Sequence, residues 1–473
     1  MSLPLHVFRE YDIRGLVATE LTPEFAETLG RGFGAFLLEK SPGAQGIVLG
    51  RDHRTSSLGL ARAFSRGVRS HGLDVTLIGV VPTPVTYFAA HVLPVDGLCM
   101  ITGSHNPPEY NGFKTGIGKT TLQGPEVQEL KAHAQRAEAL SAPAGLRAGG
   151  ALPIVRGKRG RETEFEALTP YLHFITQTLG KAARPLKVVV DAGNGTGGVI
   201  GPKLLRALGH EVIELFCELD GTFPNHHPDP TVEANLRDLQ ERVRAEKADL
   251  GIAYDGDADR VGAVDEQGNI LWGDQLMILF SRDVLAQHPG AAIVSEVKCS
   301  QTLYDDIEQH GGRAIMWKAG HSLIKAKMKE EHALLAGEMS GHIFFKHRYF
   351  GFDDGVYSSA RLLELVARSD KPLSRMLEDV PRTFSSPEIR FDFAEEKKFA
   401  AVERAKIALR KHGRTIEIDG VRVVLEGGWG LVRASNTQPL LVLRYEATSE
   451  KRLAEVRALI EGTVEGIRRD LGA

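Results

Sequence analysis

Short apolar runs closed by glycine, proline or aspartate alternate along most of the chain with longer segments of helical period. Thr22-Pro23-Glu24 is a helix-start signal, and Phe25, Leu29, Phe33 and Phe36-Leu37 recur at the spacing of one helix face. Gly46-Ile47-Val48-Leu49-Gly50 reads as a buried strand, with Arg51-Asp52-His53-Arg54-Thr55-Ser56 as the polar loop behind it. A helix, a strand over 73–79 and a short helix opened by proline lead to the apolar run Gly97-Leu98-Cys99-Met100-Ile101. This alternation predicts βαβ units on a mainly parallel sheet.

The pattern repeats. A helix over 164–179 and a strand over 186–190 lead into the glycine-rich turn Asp191-Ala192-Gly193-Asn194-Gly195-Thr196-Gly197-Gly198 and a helix beginning near Pro202. Strands are expected at 250–253 and 261–264, then at 291–295 and 313–317, with an amphipathic helix over 357–366. Two stretches interrupt the rhythm: 142–161, rich in Gly, Ala, Pro and Arg, reads as a surface linker, and 370–386, rich in Ser, Pro and charge, as a break. The last unit reads as a strand, a helix over about 395–411, a hairpin turned at Asp419-Gly420, two further strands and a final helix. Four units are expected, at 1–150, 160–268, 269–380 and 381–473.

Length agrees, since 473 residues hold roughly three or four domains of ordinary size. A net charge of -3 gives no general attraction to nucleic acid or anionic membrane, so any basic site must be local. Cys99, Cys217 and Cys299 are odd in number and far apart, which argues for buried reduced thiols rather than a disulfide scaffold or zinc ribbon. The N-terminus carries no signal-like apolar core, and no stretch approaches the roughly 20 apolar residues of a spanning helix. The expected location is cytoplasmic.

Candidate chemistry gathers where apolar runs end. The run to Ile101 passes into Thr102-Gly103-Ser104-His105-Asn106-Pro107-Pro108, placing Ser104 on a turn just past a buried strand, where open α/β sheets keep their active residues. Gly103 and the Asn106-Pro107-Pro108 break are expected to present its hydroxyl with little steric cover. Lys114, shortly after, can neutralise phosphate charge or relay a proton. A turn serine bonded to its own backbone is the competing reading. Gly116-Ile117-Gly118-Lys119-Thr120 is not a nucleotide loop, because Phe113 stands where the first glycine is needed. The turn at 191–198 can cradle phosphate on its N–H groups or simply turn tightly.

Tyr254-Asp255-Gly256-Asp257-Ala258-Asp259-Arg260 joins two expected strands. Carboxylates at alternate positions of such a loop converge on one hard cation, magnesium if a phosphate completes its shell. An EF-hand is disfavoured by Arg260 at the glycine position and by flanking strands. The D-x-D-x-V pattern of haloacid-dehalogenase-type phosphatases fits Asp257 to Val261 and stays open, as does an acidic turn that binds nothing. Lys298 and the Lys318-Ala319-Gly320-His321-Ser322 turn follow strands and can line a sheet's carboxyl edge. In Gly337-Glu338-Met339-Ser340-Gly341-His342, Glu338 and Ser340 offer an acceptor and a two-way hydroxyl suited to neighbouring sugar hydroxyls. Arg433-Ala434-Ser435-Asn436-Thr437-Gln438-Pro439 concentrates groups that suit a phosphate dianion.

In their order, Tyr11-Asp12-Ile13-Arg14-Gly15, Thr102 to Pro107, Asp255 to Arg260, Gly337 to His342 and Arg433 to Thr437 resemble the α-D-phosphohexomutase family, specifically its phosphomannomutase/phosphoglucomutase branch. The resemblance covers nearly the whole chain. It implies an α/β fold of three related α/β domains with mixed sheets, plus a smaller C-terminal α+β domain, around a central cleft. It implies that Ser104 carries the catalytic phosphoryl group and, with Asp255, Asp257 and Asp259, holds one magnesium ion per chain. Arg14, Lys114 and Arg260 would surround the transferring group, with Lys114 or His321 as acid/base. Glu338 and Ser340 would bind the sugar ring. Arg433, Ser435, Asn436 and Thr437, helped by Tyr11, Lys298 and His342, would hold the phosphate that is not reacting.

The implied reaction interconverts hexose 1-phosphate and hexose 6-phosphate, of mannose, glucose or both, through phosphoserine and a hexose 1,6-bisphosphate that also serves as activator. The implied partners are hexose phosphates, not nucleic acid or membrane, and the expected state is a monomer or homodimer. Met339 looks like the mannose/glucose version of its loop, where glutamine would point to glucosamine phosphate. Ala319 departs from the threonine usual before Gly-His-Ser in this branch, which bears on the placement of His321. The alternatives are a phosphoglucosamine mutase, a magnesium-dependent sugar phosphatase and a non-catalytic sugar-phosphate sensor on the same fold.

Overall fold

The computed structural model describes residues 3–141, 159–435 and 439–472. Most of the expected linker at 142–161 lies outside them, as do Asn436 and Thr437. Four sheets succeed one another along the chain, and the first three share one plan. In the first, the parallel strands Gly97–Ile101, Gly46–Arg51 and Asp74–Val80 lie side by side, and Tyr110–Ile117 runs antiparallel to Gly97–Ile101. In the second, Leu250–Tyr254, Lys187–Asp191 and Glu211–Leu215 take the parallel places and Val261–Asp265 the antiparallel one. In the third these are Leu335–Gly337, Ala292–Glu296, Arg313–Trp317 and Ile343–Phe345. The Ser104, Asp255 and Glu338 loops are therefore equivalent: each connects the same central strand to its antiparallel partner.

These central strands read as apolar runs because both faces are covered, and every residue of Gly97–Ile101, Leu250–Tyr254 and Leu335–Gly337 is buried. One core runs from Val48 and Phe88 through Tyr171, Leu204 and Ile252 to Phe345 and Leu363, so the three units share an interior rather than touching at polar faces. The fourth sheet is antiparallel, built on Leu440–Ala447, Gly428–Ala434, Val421–Leu425 and Arg414–Ile416. The helices Lys398–Leu409 and Glu450–Leu471 cover its core.

The helix expected over 164–179 starts later, at Leu168, because Glu162–Glu164 pairs in parallel with Asp74–Val80 at the edge of the first sheet. We therefore place the start of the second unit after Glu164 rather than at 160. All three thiols are free and buried. Among the described residues, no helix is long and apolar enough to cross a membrane.

Candidate active site

Ser104 sits three residues beyond the end of its strand at Ile101, with φ 50°, a left-handed conformation that costs an ordinary side chain on the order of 1 kcal/mol or more. Arg54 holds it there. This fully buried guanidinium donates to the carbonyls of Ser104 (2.8 Å), Asn106 (2.5 Å), Pro107 (2.6 Å) and Tyr110 (3.1 Å), and its Nε donates to Asp52 (3.2 Å). The same Asp52 carboxylate accepts the Gly103 N–H at 3.1 Å. Position 103 is glycine because a Cβ there would stand 2.5 Å from the Arg54 Cζ. The loop's carbonyls thus face one cation, and the Ser104 hydroxyl is turned away from it, toward the acidic loop.

That hydroxyl donates to Asp255 Oδ2 at 3.1 Å and lies 3.1 Å from His105 Nδ1. The expectation of little steric cover fails: Ser104 is buried, because the Asp255 loop packs directly over it and Gly256 has no Cβ to hold it off. Asp255, Asp257 and Asp259 are all fully buried and bring one oxygen each within 4.8 Å of the others. Thr83 ties this loop to the first sheet, its N–H donating to the Asp257 carbonyl at 2.9 Å and its hydroxyl to Asp257 Oδ2 at 2.5 Å. Lys114 Nζ donates to Asp257 Oδ2 at 2.8 Å and Asp259 Oδ2 at 2.5 Å. Burial disfavours every charge here. At Lys114 the two aspartates outweigh it and keep the ammonium well above its usual range. At Asp257, Lys114 and Thr83 outweigh burial and hold the carboxyl below the carboxylate range. At Asp255, burial and the neighbouring Asp259 and Asp257 act together and push it well above.

The residues present fit a small hard cation. Asp257 Oδ1 and Asp259 Oδ1 are buried without a hydrogen bond, and an all-oxygen donor set with the Ser104 hydroxyl beside it is what magnesium takes.

Arg260 closes the loop. Its Nε donates to His342 Nε2 at 3.0 Å, its guanidinium lies 3.9 Å from both Asp229 and Asp255, and its backbone pairs with that of His342. His342 stacks on His321 with centroids 5.3 Å apart, and buried Asp353 stands 3.1 Å from His342 Nδ1 and 3.4 Å from His321 Nδ1. Tyr11 reaches across to the Ala319 carbonyl at 3.0 Å, its ring edge against His321. Arg14 donates to Asp12 at 2.6 Å and contributes to holding Asp257 down.

Glu338 accepts from Gly320 N–H at 2.8 Å and from the Ser340 hydroxyl at 2.9 Å, so the two sequence-predicted sugar ligands do share a face. Lys298 lies 3.0 Å from Glu388 and 3.6 Å from Glu296. Arg433 Nε donates to Asp419 at 3.0 Å, and Asp419 also accepts the Ala319 N–H at 3.1 Å. Ser435 is buried at the end of that strand. The fourth sheet is docked by Arg422, which donates to the Val297 and Cys299 carbonyls at 2.8 Å each, and by Arg444, which donates to the Lys298 carbonyl at 2.5 Å. Trp429 lies between those two guanidinium groups, 3.7 Å and 5.9 Å from them.

Known proteins share this arrangement from end to end. Models of phosphoglucomutase/phosphomannomutase α/β/α domains I, II and III match residues 5–140, 169–268 and 272–384, and the model of the C-terminal domain matches 388–462. The chain is 45% identical to a phosphomannomutase/phosphoglucomutase of Pseudomonas aeruginosa over 471 residues, 99% of this chain and 98% of that one. The chain belongs to the α-D-phosphohexomutase family. A phosphoglucomutase of Neisseria gonorrhoeae is 43% identical, with 98% of both chains covered. The crystal structure of a phosphoglucomutase/phosphomannomutase family protein from Burkholderia thailandensis superposes with a TM-score of 0.87 at 39% identity, covering 98% of each chain.

Family membership leaves the haloacid-dehalogenase reading without support, and the hairpin around Asp255–Asp259 removes the EF-hand. The glycine-rich turn of this phosphohexomutase is not a phosphate cradle either. The N–H groups of Gly193, Asn194, Gly195 and Thr196 are spent on Asp191, Phe216, Ala192 and Gly256, so the turn buttresses the acidic loop. Sequence reasoning missed Arg54, Thr83, Asp353 and Glu388. The signal for the first was present, since Arg54 lies in a polar loop after a buried strand of the sheet that carries Ser104.

Proposed function

We propose that the chain interconverts the 1-phosphates and 6-phosphates of mannose and glucose through phosphoserine at Ser104 and a hexose 1,6-bisphosphate. The observation that carries this is the Ser104 hydroxyl held 3.1 Å from Asp255 in a buried three-carboxylate cluster walled by Lys114 and Arg260. Asp255, Asp257 and Asp259, with Ser104, are the residues that would hold magnesium, which offsets negative charge on the phosphoryl oxygens when bound.

Phosphorylated Ser104 gives its phosphoryl group to the free sugar hydroxyl: the Ser Oγ–P bond breaks, the sugar O–P bond forms, and the hydroxyl proton passes to a base. We assign that base to His321, which stacks on His342 and has only its Nδ1 facing Asp353, rather than Lys114, whose ammonium is committed to two carboxylates. Lys114 and Arg260 act as fixed cations that stabilise charge spread over the moving oxygens. The bisphosphate then reverses, Ser104 Oγ attacks its other phosphorus, and the imidazole returns the proton to the departing sugar oxygen. Glu338 and Ser340 hold ring hydroxyls throughout. The non-reacting phosphate sits against Arg433, Ser435, Asn436 and Thr437, with Tyr11, Lys298 and His342 alongside. Burial of Ser104 supports mutase over phosphatase chemistry, since water reaching phosphoserine would release phosphate. The free thiols fit a cytoplasmic enzyme.

Phosphorus NMR tests this reading. The protein with magnesium and a trace of glucose 1,6-bisphosphate receives mannose, glucose or glucosamine 1-phosphate in separate tubes. Signal moving to the 6-phosphate position supports a mutase and ranks the sugars. Release of inorganic phosphate, or no change in any tube, overturns it.

A further inference from the structure

Two carboxylates contend for Lys298, and they are held differently. The Lys298 side chain is 12% exposed, with Nζ 3.6 Å from Glu296 Oε1 and 3.0 Å from Glu388 Oε2. Glu296 is fixed. It is fully buried, its Oε2 accepts the Lys298 N–H at 2.9 Å, and its Oε1 accepts the Met339 N–H at 3.4 Å. Glu388 comes from the fourth sheet, just before the strand Ile389–Asp392, and its side chain is 27% exposed. Its other charged neighbours are the Arg390 guanidinium, 3.8 Å away, and Arg433, which after Lys298 help hold its carboxyl below the usual carboxylate range. The carboxylate nearest the ammonium is thus also the one free to turn away.

We propose that Glu388 occupies, in the free protein, the place on Lys298 that the non-reacting phosphate of the substrate takes, and so sets the affinity for hexose phosphate. The inference rests on the reading of Lys298 as a phosphate ligand. A phosphate dianion arriving at Lys298 repels both carboxylates, and the one held less firmly is the one displaced. Glu296 stays, because two backbone N–H groups hold it, and Lys298 keeps one counterion when Glu388 swings out. In the free protein burial works against the Lys298 ammonium, and Glu296 and Glu388 outweigh it and keep it above its usual range. The return of Glu388 gives the departing phosphate a competitor. This suits a reaction whose bisphosphate must let go of this site, reverse and bind again.

The test is steady-state kinetics of the full chain with magnesium and glucose 1,6-bisphosphate, varying glucose 1-phosphate. Glu388→Gln removes the competing charge and is expected to lower KM about fivefold, the scale of one hydrogen bond's net contribution, without raising kcat. Lys298→Met is expected to raise KM. The double variant is expected to match Lys298→Met, since Glu388 has no target once the ammonium is gone, a coupling that a merely structural glutamate would not show. An unchanged KM in Lys298→Met overturns the reading of Lys298, and this inference with it. A raised KM there, with KM unchanged or raised in Glu388→Gln, overturns the inference alone.

Discussion

Arg54 and Ser104 lie 50 positions apart, yet the Arg54 guanidinium donates to the Ser104 carbonyl at 2.8 Å and to three further carbonyls of the same loop. That cation bonds the Ser104 carbonyl, while the hydroxyl bonds Asp255. It orients the loop by its carbonyls, leaving the hydroxyl on the far side for Asp255, and the Phe223 ring 4.9 Å away caps its face.

Replacing Arg54 with lysine keeps the charge and loses the fork. An ammonium cannot meet four carbonyls and Asp52 at once, and each carbonyl left unpaired in a buried loop costs about 1–3 kcal/mol. Arg54→Lys is expected to lose roughly 2 kcal/mol of unfolding free energy in urea. It should also lose a larger factor in kcat than in KM, because Ser104 wanders while Glu338 and Ser340, the proposed sugar ligands, stay in place. An equal loss in both parameters would argue against a loop-orienting role.

Lys114 competes with any cation at the acidic loop, donating to oxygens of Asp257 and Asp259 at 2.8 Å and 2.5 Å. Lys114→Met is expected to slow turnover by at least tenfold, on the scale of a lost transition-state cation. The two aspartates lose their internal counterion, so thermal stabilisation by added magnesium should be larger in the variant than in the native protein. Thermal melts across a magnesium titration read this directly, and an equal or smaller shift would show that Lys114 and the metal do not share these carboxylates.

How much of this was legible depends on where each residue's partners lie in the chain. Ser104, Asp255 and Glu338 were readable because their loops each end an apolar run, and the fold turns that local signal into a shared position, the same strand connection in three equivalent sheets. The equivalence itself was less visible, since strand order emerges only from pairings such as Gly97–Ile101 beside Gly46–Arg51. Glu164 reads as the start of a helix, yet it ends the strand Glu162–Glu164, whose state is decided by the open edge of Asp74–Val80, far back in sequence. The cover over Ser104 comes from Gly256 and its loop, in another unit, and no local pattern reports it. Glu388 carries no motif at all. Its meaning lies in its distance from Lys298.

Thr83 shows the same long-range logic with a measurable consequence. Its hydroxyl donates to Asp257 Oδ2 across 174 positions of sequence, and its N–H fixes the Asp257 backbone. Thr83→Val keeps shape and removes one charge-assisted hydrogen bond, worth about 1.5 kcal/mol. The freed carboxylate is less well aimed, so the magnesium concentration for half-maximal activity is expected to rise about tenfold. This is opposite in direction to the effect on metal stabilisation expected of Lys114→Met. No change in half-saturation would remove Thr83 from the support of the metal loop.

His210 gives the second unit a dependence on pH whose sign is fixed by geometry. The buried imidazole precedes Glu211–Leu215, and its Nδ1 accepts the Leu186 N–H at 3.2 Å, a role only the neutral ring can fill. Burial lowers its pKa from 6.5 to about 4, against a smaller opposing pull from Asp249. Above pH 6.5 the ring is neutral in both folded and unfolded chains, and its full contribution is present. As pH falls toward 4 the unfolded chain takes up a proton that the folded chain refuses, so stability is lost with a slope approaching 1.4 kcal/mol per pH unit, about the limit for one proton. His210→Gln keeps an acceptor for Leu186 without a titrating group. Urea unfolding at pH 7.5, about 5.5 and about 4.5 should therefore show the native protein losing ground to the variant on acidification. Parallel decline of the two would place the acid sensitivity of this unit elsewhere.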